Sequence, residues 1–171
     1  SGLGFWLLLP RGLLMLARFY LGAASSAWTA YLPLSAQTIG AGQTLCVGSL
    51  IVLFLSMGCN AAGFLATILD PPREKSRSPS PFVVASLISS ALALISVPVL
   101  LAALIALLVD RLVAGPSFLG GSLGLTLWQN AFWFFAHPAT TILLLPAIGA
   151  VSEIIQATTG NPLVARRSVN I

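Results

Sequence analysis

The sequence predicts an all-α integral membrane bundle of about four transmembrane helices, and three observations predict it. Hydrophobic residues make up 57% of the 171 positions and charged residues only 7%. Soluble domains carry about 25% charged residues, so this chain cannot cover a water-facing surface. The mean hydropathy of +0.98 is concentrated in four long apolar stretches, each reaching the ~20 residues a helix needs to cross the hydrocarbon core. Four spans and their connections use up the length, so the chain reads as one transmembrane unit over residues 1–171. Its spans fall at about 2–24, 44–69, 82–109 and 126–156, with a polar loop at 70–81 and a tail at 157–171.

The first span contains Pro10, Arg11 and Arg18. Two cations inside a span need partner helices or a snorkelling route, so this helix is expected to pack against protein. Its interruption by Arg11 and the aromatic residues that follow do not read as a cleavable leader. Residues 25–42 form an uncharged polar connection in which Trp28 and Tyr31 suit a membrane interface. The second span has a small-residue centre, Gly58-Cys59-Asn60-Ala61-Ala62-Gly63, which lets another helix approach closely. Cys46 and Cys59 lie in this one segment, and no histidine is near enough to complete a zinc site, so both read as packing residues.

The loop at 70–81 is rich in proline and charge and reads as exposed. The third span carries Pro98, whose missing amide kinks a helix, and ends at Asp110-Arg111. A glycine-rich connection at 114–124 leads to the fourth span, which Pro138 and Pro146 are expected to bend. Arg73, Lys75, Arg77, Arg166 and Arg167 all fall two spans apart on one side, whereas the other side offers Arg111. The positive-inside rule then puts the middle loop and the tail in the cytoplasm or the mitochondrial matrix. The net charge of +4 is explained by this topology; the basic residues are scattered and build no nucleic-acid groove.

The one histidine, His137, lies inside the fourth span in the run Trp128-Gln-Asn-Ala-Phe-Trp-Phe-Phe-Ala-His-Pro138. An ionisable side chain within a membrane helix is a functional candidate, but a neutral imidazole bonded to a neighbouring helix fits the residues equally. One imidazole makes a metal site only with ligands from elsewhere. Glu153 lies near the helix end and reads as interfacial.

The run Phe132-Trp-Phe-Phe-Ala-His-Pro138, followed by Ile142-Leu-Leu-Leu-Pro-Ala-Ile-Gly149, resembles the sixth transmembrane helix of subunit I of the haem-copper oxidases. That family has a Phe-Trp-Phe-Phe-Gly-His-Pro run and then an Ile-Leu-Pro-Gly-Phe-Gly run. Upstream, Phe5-Trp-Leu-Leu-Leu-Pro10 is similar to the opening of the family's third helix, and Trp28-Thr-Ala-Tyr-Leu-Pro33 to its Trp-Thr-Val-Tyr-Pro-Pro loop. Ser96-Val-Pro-Val-Leu100 and Asp110-Arg111 fall where its fifth helix places their counterparts. The matches, in order over nearly the whole chain, correspond to about the third to sixth of the family's roughly twelve helices.

The resemblance implies that His137 is a ligand of the copper ion called Cu-B, that Trp133 lines the cavity where oxygen reacts, and that Trp28 lies near haem propionates. Copper and haem would be shared with helices absent here or with a partner chain, since the family's other histidine ligands have no counterpart in these residues. The implied function is that of one piece of the catalytic subunit of a cytochrome c oxidase, an enzyme only as part of the assembled terminal oxidase, which couples oxygen reduction to proton translocation. Implied partners are a complementary subunit I fragment, the other oxidase subunits, cytochrome c and membrane lipid, in a mitochondrial inner or bacterial cytoplasmic membrane. Two positions depart from the pattern: Ala139 stands where the main branch has a proton-delivering glutamate, and Thr141 where a tyrosine is linked to the histidine. Thr141 opens an alternative, a structural homologue without a working copper site. A nitric-oxide-reductase-like subunit, whose branch also lacks the tyrosine, is disfavoured by the retained aromatic-His-Pro run.

Overall fold

The computed structural model describes residues 2–22, 26–38, 40–70, 80–113 and 118–160. In chain order the helices are α1 (Gly2–Trp6), α2 (Leu8–Tyr20), α3 (Leu34–Gln37), α4 (Ala41–Leu69), α5 (Pro81–Leu112) and α6 (Gly121–Thr159). No strand occurs among the described residues. Four helical units are long and apolar enough to cross a membrane: α1 with α2 as Gly2–Tyr20, then α4, α5 and α6. The chain is an integral membrane protein.

Each boundary has a local cause. Pro10 has no amide to donate to the carbonyl of Trp6, and α1 gives way to α2 there, at Leu7. α5 opens on a strong start signal: Ser80 is its N-cap and accepts from the Val83 amide at 3.4 Å, with Pro81 in the first turn. Glu153 on α6 accepts from the next orphan donor, the Phe82 amide, at 3.1 Å. α6 ends at Gly160, whose left-handed backbone (φ +68) lets its amide close on the Gln156 carbonyl at 3.0 Å.

Several helices outrun the apolar stretches. α4 starts at Ala41 and not near residue 44, because buried Gln43, donating to the Ser26 hydroxyl, ties the first turn to the preceding loop. α6 starts at Gly121, and Gly124 lets that end lie directly against the Leu119 backbone. The first span stops at Tyr20, and the expected stretch to residue 24 runs beyond the described residues. The basic residues of the 70–81 loop and the tail, on which the orientation rests, also lie outside them.

The helices pack as a row in chain order, α2 on α4, α4 on α5 and α5 on α6, with neighbours antiparallel. Val47, Leu50 and Phe54 of α4 meet Val97, Leu100 and Leu104 of α5 in the core, and the aromatic face of α6 closes it. Buried serines thin the contacts between helices; the Ser56 hydroxyl donates to the Gly4 carbonyl at 2.6 Å. Gly149 lets α6 lie against the start of α5: a Cβ there would lie 2.8 Å from the Phe82 Cα. The row curves enough that α2, α4, α5 and α6 all line a cleft of about 430 Å³. Cys46 is buried and Cys59 half-buried, and neither forms a disulfide among the described residues.

Candidate functional site

α6 presents two opposed faces. Its buried positions, Gly124, Trp128, Phe132, Phe135, Ile142 and Gly149, follow the helical repeat and turn toward α5. His137 lies on the other face, exposed on this four-helix unit together with Asn130, Trp133, Phe134, Thr140 and Thr141. Trp133, one turn before His137 on the same side, is 57% exposed. Thr141, one turn after, stands on the same side again. The Thr140 hydroxyl does not reach outward; it donates to the His137 carbonyl at 3.1 Å. Pro138 and Pro146 leave the carbonyls of Phe134 and Ile142 without their helical donors. Among the described residues no hydrogen bond engages the His137 imidazole.

The loop carrying Trp28 folds down onto the start of this face. Tyr31 accepts a hydrogen bond on its hydroxyl from Gln129 Nε2 at 2.9 Å. Phe132 is the hinge of the arrangement: its ring centroid lies 5.9 Å from those of Trp28, Tyr31 and Trp133. Trp28 and Trp133 are thus joined through Phe132 into one aromatic row leading to the turn before His137, at spacings favourable for edge and tilted contacts. Phe132 and Gln129 were not singled out by sequence, and Tyr31 only as an interface residue. The available signal was the i, i+4 step from Trp128 to Phe132, which places a large ring on the buried edge of the aromatic run.

Two charged residues fix the loops at this end. Asp110 accepts from the Leu119 amide at 2.7 Å and from the Phe118 amide at 2.9 Å, pinning the connection into α6. Arg111 reaches the other way, donating to the carbonyls of Ser35 and Gly40 and to the Thr44 hydroxyl. The Trp28 loop and the glycine connection are therefore held at the same end of the bundle by one dipeptide.

The donor set decides what metal chemistry the segment can support. No group of three or more His, Cys, Asp or Glu side chains capable of holding a metal occurs among the described residues. A single outward imidazole with both ring nitrogens available fits one position of a shared centre and not a self-contained one. The cleft between the helices lies on the side of Ile142 and Pro146, and a second cleft of about 830 Å³ lies beside Arg111; His137 lines neither.

Comparison with known proteins agrees with this picture. The family model described as cytochrome c and quinol oxidase polypeptide I matches residues 1–171. The chain is 36% identical to a cytochrome c oxidase subunit 1 of Synechocystis, over 99% of this chain and 31% of that protein. It is 35% identical to a heme-copper oxidase subunit I+III of Aeropyrum pernix, over 99% of this chain and 22% of that protein. A cytochrome c oxidase subunit 1 of Bacillus subtilis is 36% identical over 91% of this chain and 26% of its own length. The chain spans about a third or less of the length of these relatives. With four apolar helices, an outward histidine in an aromatic-His-Pro run and a family match over every residue, the chain belongs to the cytochrome c and quinol oxidase polypeptide I family.

Proposed function

We propose that these four helices form one wall of the oxygen-reducing centre of a cytochrome c oxidase, with His137 as one ligand of Cu-B. The observation that carries this reading is the opposition of the two faces of α6: the helix uses its other side for packing and turns its only imidazole outward. A histidine kept merely as a hydrogen-bonded packing residue would face α5. Copper and haem, when bound, supply the redox chemistry, including electron delivery from cytochrome c. The chain's own residues do the positioning. His137 would offer one ring nitrogen to the metal, and a partner on the other nitrogen would set its tautomer. Trp133, one turn before it on the same face, would line the cavity. Trp28, held over Phe132, would lie beside a haem edge at its end of the bundle. The remaining ligands come from helices beyond these four, and other oxidase subunits complete the assembly.

The experiment is to replace His137 by alanine in the assembled complex and measure copper per haem together with oxygen consumption. Copper is expected to fall by about one equivalent relative to haem while the complex still assembles, and oxygen consumption is expected to be lost. Unchanged copper stoichiometry would refute the ligand assignment. A second reading, a structural homologue without copper, is favoured by Thr141 and by Ala139 at positions where the family carries ionisable groups. Metal analysis of the unsubstituted complex separates the two, because a scaffold would contain no Cu-B at all.

A further inference from the structure

We infer that Arg11 is the docking point for a further transmembrane helix that carries an aspartate or glutamate at mid-membrane depth. The depth follows from the register of α2 against α4. Ser56 bonds Gly4, Ser49 lies 3.3 Å from the Met15 sulfur, and Arg18 donates to the Cys46 sulfur at 3.1 Å. Interpolating along these antiparallel pairs puts Arg11 opposite Ile51 to Leu53, about 15 to 18 Å from the Ala41 end of α4 and about 24 to 27 Å from its Leu69 end. With the ~30 Å hydrocarbon core centred on α4, Arg11 lies about 9 to 12 Å inside its nearer face. Snorkelling serves residues near helix ends and does not serve this one.

Arg18 shows what a satisfied cation on the same helix looks like. It lies in the last turn, contacts Cys46 and stacks 5.0 Å from the Phe19 ring centroid. Arg11 is half-buried on the same stripe, and among the described residues nothing bonds its guanidinium. The positions flanking it on that stripe are Leu7, Leu8, Leu14 and Met15, which offer no polar surroundings. The acidic residues among those described are no help: Asp70 caps the end of α4, Asp110 is in the last turn of α5, and Glu153 is near the end of α6. A guanidinium at that depth is best met by an opposite charge at the same depth, and a carboxylate matches its planar fork. A lipid phosphate cannot descend to it. The inference concerns assembly and stands whether or not His137 binds copper.

The test uses the assembled complex in its native membrane. A photoreactive benzophenone side chain at Leu7 or Leu14, on either side of Arg11, is expected to cross-link to a transmembrane peptide containing an acidic residue, identified by mass spectrometry. Arg11→Leu is expected to lower the amount of assembled complex by about tenfold or more, because it strands the partner's buried carboxylate. Arg11→Lys should stay within about twofold of the parent, and neutralising the carboxylate on the cross-linked helix should restore the Arg11→Leu complex. Cross-links to lipid alone, or to helices beyond these four that carry no acidic residue, would overturn the inference. So would full assembly of Arg11→Leu, or a failure of the neutralised partner to rescue it.

Discussion

Replacing Arg111 by methionine removes a clamp whose contribution can be worked out bond by bond. Its Nε and Nη2 share the Thr44 hydroxyl at 3.2 Å each, Nη2 also reaches the Gly40 carbonyl at 3.2 Å, and Nη1 donates to the Ser35 carbonyl. Hydrogen bonds to charged groups contribute about 1.5–3 kcal/mol each. The Gly40 contact is exposed and the two Thr44 contacts share one acceptor. Only about two bonds then count in full, giving a loss of about 3–6 kcal/mol. At about 1.4 kcal/mol per factor of ten, the folded-to-unfolded ratio should drop by about two to four powers of ten. The assay is equilibrium unfolding of the detergent-solubilised protein on titration with a denaturing detergent, followed by tryptophan fluorescence. Arg111→Lys is the informative control, because an ammonium cannot span acceptors on three separate residues with one rigid fork, and it should recover less than half of the loss. A methionine variant within about 1 kcal/mol of the parent, or a lysine variant equal to it, would refute the reasoning.

At Gly149, valine should destabilise by about 1–3 kcal/mol, because its first carbon would lie 2.8 Å from the Phe82 Cα and 3.1 Å from the Ala85 Cβ. Gly48→Ala, where nothing lies within 4 Å, should be neutral or stabilising by up to about 1 kcal/mol in the same unfolding assay, and equal effects at the two sites would contradict the packing account. Phe132→Leu keeps most of the buried volume but breaks the aromatic row, so it should cost about 1 kcal/mol and make Trp28 and Trp133 more accessible to an aqueous quencher. Unchanged quenching would show that the row does not order these rings.

The fold class was legible because hydropathy over long windows depends on composition alone, and no side-chain detail is needed to read it. The helix ends were less so. α4 gains its first turn from a bond between Gln43 and Ser26, a contact across 17 residues that no local pattern announces. α3, four residues inside a polar connection, is too short to leave a periodic trace. At the candidate site the i, i+4 spacing already put Trp133, His137 and Thr141 on one side of the helix. It could not say that α5 would take the opposite side, since that depends on packing between chain-distant faces. Asp110-Arg111 read as a helix terminus, and its role as a clamp rests on partners up to 76 residues away. Glu153 read as interfacial, yet its carboxylate caps a different helix.

α6 is 39 residues long, or about 58 Å of helix, against a hydrocarbon core of about 30 Å. Tilt alone would have to approach 60° to hide it, beyond the roughly 0–40° that membrane helices adopt. A helix with that much overhang has no depth of its own, because sliding by one turn exchanges like for like at both surfaces. Its vertical setting is fixed by the contacts at its two ends, the Asp110 bonds to the Phe118 and Leu119 amides above and the Glu153 bond to the Phe82 amide below. Both anchor points belong to α5. The height of His137 within the bilayer is therefore inherited from its neighbour, and a change of membrane thickness would act on it only through α5.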